Sequence, residues 1–171
     1  MHFGTTPTAE ERRRTRASDL YPWFSPAAGI FVLAVTSAAG AAETAPITRV
    51  SSKAFVSTIE HLEWQLGGYG ITVVSRLDYR GILDNMEVSA RRSQTIEILR
   101  RSWAKVVLDS DAAAAIALPL RIYVYERDDG RTVVSYYRPS SQFGDQGNEA
   151  LIELGRELDS VLEGIVRLAT K

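Results

Sequence analysis

No cysteine occurs among the 171 residues, and there are only two histidines, His2 and His61. The first absence excludes disulfides, thiolate catalysis and a lipid-modified cysteine anchor. The second leaves a zinc or haem site of the usual kind without ligands, because such sites draw on several Cys or His side chains. His61 has no second histidine at i+4 and reads as an exposed or partly buried helix residue between Glu60 and Leu62. No metal and no cofactor are therefore expected. Nucleophilic catalysis is equally short of parts, with no Gly-x-Ser-x-Gly elbow and a single histidine base outside the N-terminal segment. The dinucleotide fingerprint and the Walker loop are missing as well. Long apolar runs are also absent: residues 27–42 form a short stretch rich in Ala, Gly, Ser and Thr, whereas a spanning helix needs about 20 apolar residues.

What the N-terminus does contain has the three-zone order of a secretory signal. Arg12, Arg13, Arg14 and Arg16 form a basic region, Ala27 to Thr36 an apolar region, and Ala39-Gly40-Ala41 a small-residue cleavage site. Cleavage after Ala41 is expected, with an uncleaved anchor as the alternative. Residues 1–41 are assigned to a signal peptide, 42–46 to a linker and 47–171 to one domain. The protein is then periplasmic or extracellular, with no membrane attachment after cleavage. Loss of the leader leaves 16 basic against 18 acidic residues, and a near-neutral balance gives no global pull toward nucleic acid or anionic lipid.

The rest of the chain carries alternating β and α signals. Residues 47–50 suggest a first strand, and Ser51 or Ser52 is placed to cap the helix that follows. Phe55, Ile59, Leu62 and Leu66 make one apolar stripe in that helix, which Gly67, Gly68 and Gly70 end. Residues 71–77 are β-branched and read as a strand; 78–90 fit either a short helix or an irregular crossing. Residues 94–99 alternate as a third strand, 102–108 suggest a helical turn or two with Trp103, Val106 and Val107 inward, and 112–117 a small alanine helix capped by Ser110 or Asp111. Two β-rich runs, 118–126 and 132–139, flank a turn at Asp128-Asp129-Gly130 and predict a hairpin. Residues 148–169 give the clearest helix, with Leu151, Leu154, Leu158, Val161, Leu162, Ile165 and Leu168 on one face. Gly155 lies near that face, where close approach of the helix to the sheet is expected to compensate for its low helix propensity. A hairpin is antiparallel by construction, so the class is α+β, an antiparallel sheet covered by helices in the order β-α-β-β-β-β-α with short extra helices.

Two features stand out as binding candidates. Arg121, Tyr123, Tyr125 and Arg127 share one face of the first hairpin strand, because side chains alternate with period two. Tyr offers a flat apolar body with a polar tip, and Arg a planar fork for carboxylate or phosphate. The plainer reading is that these side chains shield the sheet through cross-strand pairs. Which of residues 133–138 join them depends on whether the turn has two or three residues. The second feature is charge asymmetry: residues 76–105 carry seven basic side chains against four acids, while the final helix is acidic. These stretches could attract within one subunit or between two. The Asp128-Asp129 pair is explained by the turn itself.

From Phe55 to about Ala169 the chain resembles the family catalogued as domain of unknown function 302. The resemblance rests on Phe55-x-x-Thr58 with Leu62 and Leu66, on Gly70-Ile71-Thr72-Val73 and Asp78, and most of all on Leu118-Pro119-Leu120-Arg121, Val124-Tyr125-Glu126, Asp129-Gly130 and Ser135-Tyr136 with Pro139. It implies a fold like that of the TATA-box-binding protein, often packed as homodimers, and fold alone carries no implication of DNA binding. The chain has Tyr79 where many members have histidine, and Leu99-Arg100-Arg101-Ser102 where they have a Phe-Gly-Asn-Pro turn. Taken together, the expectation is an exported, non-catalytic domain, a homodimer, binding a small ligand or an envelope protein and no nucleic acid. The competing readings are an enzyme using Tyr79 with Asp78 or Glu126 and no metal, and a structural subunit of a cell-envelope complex.

Overall fold

Alternation along residues 120–126 decides how the sheet is oriented. Leu120, Ile122 and Val124 are buried while Arg121 and Tyr123 are exposed, so one face of the sheet meets a core and the other does not. The computed structural model describes residues 45–143 and 147–171. The expected signal peptide, 1–41, and linker residues 42–44 lie outside the described residues.

The elements are β1 (Ile47–Val50), α1 (Phe55–Gly68), β2 (Thr72–Asp78), α2 (Tyr79–Asp84), β3 (Ser93–Leu99), α3 (Arg101–Ser110), a 3-10 helix (Ala112–Ala117), β4 (Leu120–Glu126), β5 (Thr132–Tyr136), α4 (Pro139–Phe143) and α5 (Glu149–Ala169). The five strands form one sheet in the order β1-β5-β4-β3-β2. Every pairing is antiparallel, and the class is α+β. On the inner face Ile122 stands opposite Ile96 and Tyr136, and Val124 opposite Val134. These residues share a single buried cluster with Phe55, Leu62 and Leu66 of α1, Trp103 and Val107 of α3, and Leu151, Leu158, Leu162 and Ile165 of α5.

The helix ends follow local chemistry. Tyr69, Gly70 and Ile71 close α1: the Gly70 amide donates to the Gly67 carbonyl and the Ile71 amide to the Leu66 carbonyl, with Gly70 at φ +65°. That is the Schellman arrangement, in which a left-handed residue lets two terminal carbonyls be satisfied. The start of α1 departs from expectation, because Ala54 occupies the cap position and no side chain caps it. Ser51 is buried and its Oγ accepts from the Lys53 amide and from Thr58 Oγ1 at 2.8 Å. Ser52 instead donates to the carbonyls of Thr170 and Lys171. Both serines thus tie the β1–α1 turn down in ways that exclude capping. Residues 79–84 resolve the ambiguous crossing as a short helix, capped by Asp78, whose carboxylate accepts from the Gly81 amide.

α5 carries the expected stripe with one correction. Leu151, Leu154, Leu158, Leu162 and Ile165 are buried, Val161 is partly buried, and Leu168 is 39% exposed. Eighteen residues make five turns, so Leu151 and Ala169 point the same way, and Leu168 stands about 100° round from them. Gly155 brings a second correction: a Cβ there would lie 2.7 Å from the Cα of Ser140. Its close neighbour is α4, a helix, and not the sheet. The reason lies one turn on, where the Asp159 carboxylate accepts from both the amide (3.0 Å) and the hydroxyl (2.6 Å) of Ser140. The basic stretch 76–105 does not pair with α5 among the described residues; Arg138 does, at 3.8 Å from Asp159. Arg76 meets Glu63, Arg80 meets Asp84, and Arg91 and Arg92 reach toward the hairpin.

Candidate functional site

The hairpin turn fixes the register that the sequence left open. The Arg127 amide donates to the Arg131 carbonyl, the Gly130 amide to the Arg127 carbonyl, and Gly130 sits at φ +78°. This is a three-residue loop built from a turn followed by a left-handed glycine, a geometry that glycine adopts without steric conflict. Asp129 serves the turn as expected: its carboxylate accepts from the Arg131 amide at 3.1 Å and from Arg131 Nε at 2.8 Å. With that loop length Tyr125 stands opposite Val133 and Tyr123 opposite Ser135. On the other side Tyr123 stands opposite Thr95 and Arg121 opposite Glu97.

The outer face therefore carries a row from Arg121 through Tyr123 and Tyr125. The rings of Tyr123 and Tyr125 stack, with centroids 5.2 Å apart and planes 18° from parallel. Tyr79, at the start of α2, meets Tyr123 edge-on at 6.0 Å and 84°. Thr95 Oγ1 donates to the Tyr79 hydroxyl at 3.2 Å, and Thr95 is buried beneath these rings' side of the sheet. Arg121 is held by Glu97, Nε to Oε1 3.3 Å. Arg127 lies one residue beyond the end of β4 and continues the row, with its Nη2 3.4 Å from Asp129. An open depression of about 370 Å³ at this end is lined by Tyr125, Glu126, Arg127, Asp128 and Asp129.

Three of the four candidate residues, Arg121, Tyr123 and Tyr125, are thus brought together on one face, and Arg127 extends the line past the strand. Tyr79 and Thr95 join the same cluster, which sequence reasoning missed. Thr95 was legible in principle, since period-two alternation puts it on the opposite side from Ile96 and Ile98. Tyr79 was not, because its position depends on the turn that Asp78 makes into α2. Of the residues in the enzyme reading, Asp78 is an exposed helix cap, Glu126 lies 4.0 Å from Arg92, and Tyr79 meets Tyr123 in the tyrosine cluster. Among the described residues there is no group of three or more His, Asp or Glu side chains placed to hold a metal ion, and no helix long and apolar enough to cross a membrane.

Electrostatics at the turn follow from the same hydrogen bonds. The Arg131 guanidinium and its backbone amide hold the Asp129 carboxyl below its ordinary value, and Asp129 in turn raises Arg131. A carboxyl whose folded value is depressed supports the turn at pH above the ordinary carboxylate range, and that support is lost as pH falls through the lower, folded value. A carbon-detected NMR titration is expected to show Asp129 ionising below a model aspartate, and Arg131→Gln to bring its midpoint up. An unchanged midpoint in that variant would show that the pair does not form in solution.

Residues 47–167 match the family described as domain of unknown function DUF302. The chain belongs to this family. A crystal structure of an uncharacterized conserved protein DUF302 from Bacillus stearothermophilus shares the fold, with TM-score 0.68 at 21% identity over 74% of this chain and 98% of that one. No curated protein matches the chain. The DUF302 match spans the sheet from β1 to β5 and most of α5, so the tyrosine row lies inside it. In this DUF302 chain Tyr79 supplies the ring that meets Tyr123.

Proposed function

We propose that this DUF302 protein is a non-catalytic binding domain, exported by its N-terminal segment, whose outer sheet face receives a small ligand or a partner. The observation that carries the reading is the gathering of Tyr79, Tyr123 and Tyr125 into one contacting array on the face that is left out of the core, with Tyr123 38% exposed. Aromatic side chains with an apolar body and a polar tip are suited to contact surfaces that alternate between wet and covered.

Native mass spectrometry of the full chain expressed with its leader and recovered from the cell envelope tests this directly. The expected spectrum shows a species lacking residues 1–41 and carrying either a retained small molecule or a second copy of the chain. In Tyr123→Ala, a change at an exposed position, the retained species is expected to fall to a small fraction. Retention unchanged in both Tyr123→Ala and Tyr125→Ala would sink the choice of face.

A further inference from the structure

The outer face of the sheet is nearly free of charge, although it is the face left out of the core. Within the strands the register puts only one cation and one anion on it, Arg121 on β4 and Glu97 on β3, which stand opposite each other and pair at 3.3 Å. The row across its middle runs Leu77, Thr95, Tyr123, Ser135 and Thr48, one from each strand. In a neighbouring row Tyr125, Val133 and Val50 stand opposite one another across β4, β5 and β1. An antiparallel sheet with one solvated face commonly alternates hydrophobic residues inward with polar ones outward. Depletion of charge together with tyrosine is instead the composition of the centre of a protein interface.

We infer that this face packs against the same face of a second copy of the chain, sheet to sheet, through a two-fold axis that runs along the seam between β3 and β4. This rests on the binding reading above and names the partner. Shape favours a protein surface, since a sheet face is flat and small-molecule sites are concave. Area is sufficient: five strands spaced about 4.8 Å apart, at about 3.3 Å per residue, give about 500 Å² per copy, so a pair buries about 1,000 Å², the size at which specific interfaces begin. Charge selects a second copy. An axis along the seam sets Arg121 of each copy over Glu97 of the other, so the only charges on the face are matched without any further group. Arg121 has donors left for this, because Glu97 accepts from its Nε alone and a guanidinium has five N–H groups. The same axis lays Tyr123 of each copy over Thr95 of the other and keeps the strands of the two sheets aligned, one of the two common ways in which sheets pack.

Sedimentation velocity on the chain, expressed in full and recovered as above, tests the pairing. Wild type is expected to be a dimer at about 50 μM protein, as an interface of this size supports. Tyr123→Lys puts a charge at the centre of each face and should weaken association at least about tenfold. Arg121→Glu and Glu97→Arg each leave like charges along the seam, so each is expected to be monomeric alone. Mixed in equal amounts, those two proteins should form a dimer, because each supplies the charge that the other lacks. Loss of an exposed ion pair should move the melting temperature by no more than about 3 °C, which separates loss of pairing from loss of fold. A monomeric wild type, a dimer that all three variants leave unchanged, or a mixture that stays monomeric would overturn the pairing. A monomer that retains a small molecule, or a different protein, lost in Tyr123→Ala overturns the second copy and leaves the binding face standing; a monomer that retains nothing removes both.

Discussion

Leu158→Ala is expected to lower the stability of the domain by about 2 to 5 kcal/mol, the range for truncating a fully buried leucine whose surroundings relax only in part. Leu158 is 0% exposed in the middle of the α5 stripe and belongs to the cluster that joins α5 to the inner sheet face. For a domain of this size the melting temperature should fall by roughly 6 to 15 °C, at about 3 °C per kcal/mol. Leu168→Ala, on the same helix but 39% exposed, should change stability by no more than about 0.5 kcal/mol. Thermal melts followed by circular dichroism separate the two cases. Equal effects at both positions would mean that α5 does not clamp the core through the face described.

A second large contrast separates the two glycines of α5. Helix propensity alone favours alanine over glycine by about 1 kcal/mol. At Gly164 nothing opposes that gain, since a Cβ would meet only the Tyr69 hydroxyl at 3.9 Å, and Gly164→Ala is expected to stabilise by about 0.5 to 1 kcal/mol. At Gly155 the same methyl would lie 2.7 Å from the Ser140 Cα and 3.2 Å from its amide nitrogen. Those are backbone atoms, so α4 itself must shift, and the Asp159 bonds to Ser140 resist the shift. Overpacking of this kind costs about 1 to 3 kcal/mol, more than the propensity gain returns. Gly155→Ala should therefore be destabilising overall, and Asp159→Ala, which frees α4 to move, should reduce that penalty in the double variant. Chemical denaturation of the four proteins measures it. A Gly155→Ala protein more stable than wild type would contradict the α4–α5 contact.

Much of the architecture was legible because its signals are local and periodic. Alternation in 120–124 marked which side of β4 is buried, Asp129 and Gly130 marked the loop, and the spacing from Leu151 to Ile165 marked the α5 face. The failures have tertiary causes. Ser51 has the chemistry of a cap, but the buried Thr58 hydroxyl competes for its oxygen. Gly155 signalled close approach correctly, while its partner, α4, is a short segment whose position depends on Asp159. The binding face was half legible: period two places Arg121, Tyr123 and Tyr125 together, but no periodicity reports that Tyr79 returns across β3 to meet Tyr123. Nor does any periodicity report that Arg91 and Arg92, in the segment before β3, reach Asp128 and Glu126 at the hairpin.

Sheet order has a bearing on when the chain can fold. β1 lies at the sheet edge and pairs with β5; Thr48 meets Ser135, a separation of 87 residues. Ser52 meets Thr170, a separation of 118. In synthesis from the N-terminus, β1 thus waits without its sheet neighbour until β5 has emerged, and loop-closure entropy weighs against early pairing over such distances. The five-stranded sheet therefore closes at its β1 edge only after residues 132–136 have been synthesised.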